Sequence, residues 1–288
     1  MKKSFLLLFI ACTFVAKAQT NMGIVAYYPF NGNADDSSGN GLNASINKAI
    51  PAADRYGRPN HAYKFVGDSN TYISVPHDTL LNLTGDKTIS LWYKIDTLPN
   101  QLFPALVLKE GANFYYTTFA IQFNEEAGYP AKDRYKVGFF FGSNSTNYLL
   151  STDEKYNDTA NIDKWIHIVS TYSQSTGYSK IYFNGVLSDS LYIGNKNSEV
   201  STQPMQIGRG TSFGNHNGNY FKGYLDDIRL YGRTLTPSEI DSIYVSNDTA
   251  LNDTSPVLNF KETKLFENIN IYPNPAKNQI TVANLTVD

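Results

Sequence analysis

Lys180-Ile-Tyr-Phe-Asn-Gly-Val-Leu-Ser-Asp189 is the stretch on which the fold turns. Two short runs rich in apolar residues flank Asn184-Gly185. A two-residue turn of this kind needs positive φ at both central positions. Asn and Gly tolerate that best, and the turn's twist matches a pair of antiparallel strands. The segment therefore predicts a β-hairpin, with strands over residues 180–183 and 186–189.

Working outward, the same punctuation repeats. Apolar runs at residues 24–30, 103–109, 117–123, 135–141, 165–172, 205–208 and 223–231 are separated by Gly, Asn, Asp and Ser clusters, as in all-β chains. Residues 62–66 and 72–75 are expected to pair as a hairpin across Gly67-Asp-Ser-Asn70. Residues 88–95 alternate, with Ile89, Leu91 and Tyr93 on one side and Ser90, Trp92 and Lys94 on the other. Tyr135, Val137, Phe139 and Phe141 form an apolar stripe with Phe140 opposite, which suits a strand covered on both faces. Strands at this spacing predict a two-sheet antiparallel sandwich or jelly roll. One short helix is legible near the end of this region. Thr236 is an N-cap, Pro237 suits the first helical position, and Glu239 completes a capping box. Ile240, Ile243 and Tyr244 then share a face.

Composition narrows the class. Twenty-four Lys and Arg stand against 26 Asp and Glu, for a net charge of −2 without a basic block, so nucleic acid is not an expected partner. At the N-terminus, Met1-Lys-Lys3 is a basic segment, residues 4–15 are apolar, and Ala16-Lys-Ala18 fits the small-x-small cleavage rule, so residues 1–18 read as a signal peptide. The apolar run is shorter than the ~20 residues a membrane span requires. Cys12 is the only cysteine and lies inside this segment. Lipidation there is the alternative to cleavage after Ala18; with cleavage, the mature chain has no disulfide to staple its loops. A core domain over residues 19–245, a polar linker over 246–266 and a small β tail over 267–288 complete the expected organisation.

Two family resemblances follow. Asn268-Ile-Asn-Ile-Tyr-Pro-Asn-Pro-Ala-Lys-Asn-Gln-Ile-Thr-Val282 resembles the start of the C-terminal sorting domain of type IX secretion in Bacteroidetes-type bacteria, here truncated at Asp288. That resemblance implies export by the type IX machinery to a secreted or surface-attached location. Val25-Ala-Tyr-Tyr-Pro-Phe-Asn-Gly-Asn-Ala-Asp-Asp-Ser-Ser-Gly-Asn-Gly41 resembles the opening of the laminin-G-like jelly roll, the concanavalin A-like lectin/glucanase fold. Phe65-Val-Gly-Asp68, Leu83-Thr-Gly-Asp-Lys-Thr-Ile-Ser-Leu-Trp92, Trp165-Ile-His-Ile-Val-Ser-Thr-Tyr172, Phe221-Lys-Gly-Tyr-Leu-Asp-Asp-Ile-Arg-Leu-Tyr231 and Arg233-Thr-Leu-Thr-Pro-Ser-Glu-Ile240 continue in the family's order.

That fold hosts glucanases and non-catalytic binders alike. Its retaining glucanases place two carboxylates on one face of a strand. No strand here presents such a pair: Glu125-Glu126 and Asp153-Glu154 fall in turns, and Asp226-Asp227 are adjacent and expected to point oppositely. His61, His77, His167 and His216 are scattered, without a motif for catalysis or metal binding. No catalytic residue is therefore assigned. The expected function is glycan binding outside the cell, with an adhesion module that binds surface or matrix protein as the alternative and a glycoside hydrolase a more distant one. Sugars stack their C–H faces on aromatic rings, which makes Trp92, Tyr116, Tyr135 and His167 the candidate ligand-binding residues. The loops at 148–164 and 208–219 are placed to set specificity. The resemblance further implies a structural calcium held by the Asn31 region, Gly67 and Asp226. Asp226 is expected to share a face with Ile228 and Leu230, where a carboxylate needs a partner; a loop N–H or an Arg is the alternative to the metal.

Overall fold

The computed structural model describes residues 20–97, 104–111, 117–124, 136–143, 146–151, 161–210, 219–246, 270–272 and 281–283. The chain divides into two compact units, residues 1–246 and 247–288.

The first unit is a sandwich of two antiparallel sheets, as the alternation predicts. One sheet is built from β1 (Ile24–Tyr28), β3 (Ile50–Ala52), β4 (Ala62–Val66), β6 (Lys87–Lys94), β11 (Ile166–Ser173), β12 (Tyr178–Phe183), β13 (Val186–Tyr192) and β15 (Lys222–Tyr231). Its order is β13-β12-β11-β6-β15-β4-β3, and β1 pairs with β15 beyond the end of β4. The other sheet runs β10 (Thr146–Ser151), β9 (Lys136–Ser143), β8 (Thr117–Asn124), β7 (Ala105–Glu110), β14 (Met205–Ile207), β5 (Ile73–Val75) and β2 (Ile46–Asn47). The inner faces bury one large core that includes Phe65, Leu91, Tyr93, Phe123, Phe139 and Phe221.

The Asn184-Gly185 turn forms as its residues require, with φ of 49° and 79°, and joins β12 to β13. On β6, Ile89, Leu91 and Tyr93 enter the core and Ser90, Trp92 and Lys94 face out. The helix α1 (Pro237–Val245) carries the full capping box between Thr236 and Glu239. Ile240 and Ile243 pack on Val169, Tyr182, Tyr231 and Leu235, so α1 lies on the outer face of the first sheet.

Three expectations are corrected. Residues 62–66 and 73–75 do not pair with each other. β4 joins the first sheet and β5 the second. The Gly67-Asp-Ser-Asn70 turn carries the chain across the sandwich, held where Thr71 Oγ1 accepts from Val66 N at 3.0 Å. The supposed loop beginning at Tyr148 opens inside a strand, β10; residues 152–160 lie outside the described set. Asp226 does not share a face with Ile228 and Leu230. A bulge between Asp226 and Arg229, with Asp227 at φ 52°, resets the alternation. Ile228 and Leu230 turn into the core, while Asp226 and Asp227 both reach the same guanidinium outside it.

In the second unit, β16 (Asn270–Tyr272) pairs antiparallel with β17 (Thr281–Ala283), Ile271 opposite Val282. No helix among the described residues is long and apolar enough to cross a membrane.

Candidate functional site

The outer face of the first sheet gathers three of the residues singled out in the sequence. Neighbouring β6, β11 and β15 bring Trp92, His167 and Asp226 side by side, because Trp92 pairs with both His167 and Asp226 in the ladders. Trp92 and His167 stack with ring centroids 5.0 Å apart, and Tyr244 of α1 stacks on both, at 5.7 Å and 5.9 Å. Arg55 covers the other side, its guanidinium 4.5 Å from the Trp92 ring. The hairpin turn also reaches this cluster, since Asn184 Oδ1 accepts from His167 N at 3.0 Å.

The result is a closed arrangement. Trp92 is 7% exposed and His167 fully buried, so neither offers the open ring face expected of a ligand-binding residue. α1 and the Arg55 segment roof this face, which the sequence reading did not include. Tyr116 and Tyr135 lie outside the described residues.

Charge is neutralised inside the cluster. Arg55 Nη1 meets Asp226 Oδ2 at 2.8 Å and Arg55 Nη2 meets Asp227 Oδ2 at 3.3 Å. Arg229 Nη2 meets Asp227 Oδ1 at 2.9 Å and donates to Tyr27 OH at 3.2 Å. Buried carboxylates need such partners, because solvation lost on burial must be replaced. These two acids are spent on two guanidinium groups and cannot serve as a nucleophile and acid/base pair.

His167 Nε2 shares a 2.8 Å hydrogen bond with Ser90 Oγ. That contact was not foreseen, since the two residues are far apart in sequence. It is no catalytic dyad. Both residues are fully buried, the imidazole Nδ1 has no hydrogen-bond partner to orient it, and burial drives the imidazole down to about 3, with Arg229 and Arg55 adding to the effect against Asp227. A base so weakened does not activate a hydroxyl near neutral pH.

The three residues expected to hold calcium do not converge. Gly67 follows Val66, which pairs with Lys222. Asp226 lies four residues further along β15, roughly 13 Å at the rise of a strand, whereas two ligands of one calcium are at most about 5 Å apart. Asp226 instead takes Arg55 as its cation. Asn31 leaves the sheet after β1 with its Oδ1 buried and unpartnered. The set does not fit a shared ion, and no group of three or more His, Cys, Asp or Glu among the described residues could hold one.

Beyond α1 the same face stays open. Lys64, Tyr224, Lys94 and Trp165 occupy one cross-strand row there, each half-exposed. The two rings lie 6.3 Å apart at 62°. On the outer face of the second sheet, Ala105, Leu108 and Ala120 form a small apolar patch against Phe140. Beside it Gln206 Nε2 donates to Ser74 Oγ at 3.1 Å, and its Oε1 is buried without a partner.

Residues 67–241 match the family model described as the concanavalin A-like lectin/glucanases superfamily. No curated protein matches the chain. Among solved structures it is similar to the binding domain of Paraclostridial Mosquitocidal Protein 1, with a TM-score of 0.59 and 18% identity over 78% of this chain and 52% of that one. The binding domain of botulinum neurotoxin serotype G matches with a TM-score of 0.57 and 16% identity, over 77% of this chain and 50% of that one. The serotype D ligand binding domain, solved in complex with N-acetylneuraminic acid, matches with a TM-score of 0.58 and 16% identity, over 80% and 52%. The chain spans about half the length of these structures, and likeness at such identity shows the fold.

Proposed function

The chain belongs to the concanavalin A-like lectin/glucanases superfamily, and from that premise we propose that it is a non-catalytic saccharide-binding module acting outside the cell. The observation that carries this reading is the pair of half-buried rings, Tyr224 on β15 and Trp165 immediately before β11, near two acids already neutralised by Arg55 and Arg229. Rings so placed can stack on the C–H faces of a sugar, and without facing free carboxylates the bound glycan stays intact. The similar toxin domain solved with N-acetylneuraminic acid supports a saccharide ligand at the level of fold. The signal-like residues 1–18 and the resemblance of residues 268–282 to a type IX sorting segment support export to the surface or medium.

A second reading has its own observation. β13 is an edge strand of the first sheet and exposes Val186 (67%), Leu187 (49%) and Tyr192 (65%). Exposed apolar edges favour pairing with another polypeptide, as an adhesion module would use.

A glycan array probed with the whole chain separates the two. Retention on defined saccharides that is competed away by the same free saccharide supports the lectin reading. Failure to bind any saccharide, with saccharide-insensitive retention on protein-coated surfaces that Val186→Lys abolishes, supports the edge strand instead.

A further inference from the structure

The open row beside α1 has more chemistry than a sugar platform needs. The ladders set Lys64 of β4 and Lys94 of β6 on either side of Tyr224 of β15. Trp165 precedes Ile166, the partner of Tyr93, and so continues the row past Lys94. The order across the face is cation, ring, cation, ring. Lys64 Nζ lies 5.3 Å from the Tyr224 centroid; Lys94 Nζ lies 4.2 Å from that centroid and 5.7 Å from that of Trp165. These separations hold both ammonium groups over ring faces by cation–π attraction. The carboxylate that approaches the row is Asp96, 3.9 Å from Lys64 Nζ, with both side chains partly exposed. Lys94 has no carboxylate within salt-bridge distance among the described residues.

A neutral sugar would use the Trp165 ring and leave both cations idle. A pyranose bearing a carboxylate or sulfate places an anion at the rim of its own apolar face, within reach of an ammonium set beside the ring it stacks on. Resting on the saccharide reading above, we propose that this row binds an acidic saccharide, its C–H face on Trp165 and its carboxylate or sulfate held by Lys94, with Lys64 across the Tyr224 ring adding positive charge. Single-stranded nucleic acid also combines stacking with cations. The near-neutral net charge and the absence of a basic block disfavour it.

Isothermal titration of the whole chain tests this. The acidic probes are tetragalacturonate, sialyllactose and a heparin-derived tetrasaccharide; the neutral ones are lactose and maltotetraose, and an octathymidylate competitor covers the nucleic-acid case. At least one acidic probe is expected to bind about tenfold or more tighter than the neutral ones, and to weaken as salt is raised. The double variant Lys64→Gln/Lys94→Gln loses that preference with its melting temperature unchanged, and Trp165→Ala weakens acidic binding further. Acidic binding that survives the double variant, or octathymidylate displacing the acidic probe, overturns the proposal. Neutral saccharides binding wild type and double variant alike, with no acidic preference, overturns it while sparing the saccharide reading. No binding in any saccharide arm removes both.

Discussion

Lys87 shows how far a single residue can depart from its usual place. It begins β6 on the core side, is fully buried, and its Nζ has no hydrogen-bond partner. Burial pushes the amine down to about 7, against the nearby Asp86 charge. The Phe141 and Tyr172 rings, 4.4 Å and 4.7 Å from Nζ, favour the charged form and offset part of that penalty. Because the folded value lies below the unfolded 10.5, the unfolded chain binds more protons between about pH 7 and 10.5. Stability therefore rises as pH climbs through that window, and the full cost applies below it. Lys87→Met keeps the stem in place and removes the charge. The expected gain is about 5 °C in melting temperature at pH 7, fading toward pH 10.5. Thermal scans across pH check it, and a loss of stability at pH 7 contradicts it. Arg55 is the opposite case. Removing it takes the Arg55 guanidinium from two buried carboxylates, leaving Asp227 its pair with Arg229, so Arg55→Ala is expected to lower the melting temperature by roughly 10 °C. Added Ca²⁺ should not move the wild-type value, since the guanidinium already stands at Asp226.

At the scale of elements, α1 was legible because its signals are local. Thr236 accepts from Glu239 N, and Glu239 Oε2 in turn accepts from Thr236 N at 2.8 Å; Arg233 joins Glu239 Oε1 at 2.6 Å. Thr236→Ala should cost about 1 kcal/mol, or about 3 °C, measurable by denaturant or thermal unfolding. A shift below 0.5 °C would show that packing alone fixes the helix. The alternation of β6 and the Asn184-Gly185 turn were equally readable. Two features were not. Gly67-Asp-Ser-Asn70 uses the same Asx and glycine chemistry whether it reverses a hairpin or crosses between sheets, and only tertiary pairing decides. The bulge at Asp227 breaks a period that sequence assumes to be unbroken, which hid the convergence of Asp226 and Asp227 on Arg55. For the candidate ligand residues Trp92 and His167, nothing local announces that a helix from far along the chain will cover them. Lys94 was read on that face too; its place between Tyr224 and Trp165 depends on strand order.

At the scale of the molecule, the two sheets divide the labour. Their inner faces supply the core. Part of the first sheet's outer face is covered by α1 beside a neutralised polar cluster, and another part carries half-buried rings and ammonium groups. Among the described residues, the carboxylate that approaches that row is Asp96, beside Lys64. On the proposed reading, this face holds a saccharide without hydrolysing it. Native mass spectrometry of the whole chain, after overnight incubation with a mixture of neutral and acidic oligosaccharides, tests this most directly. The account predicts protein carrying intact oligosaccharide and no shortened products. Bare protein in every mixture, or the appearance of cleavage fragments, would contradict it.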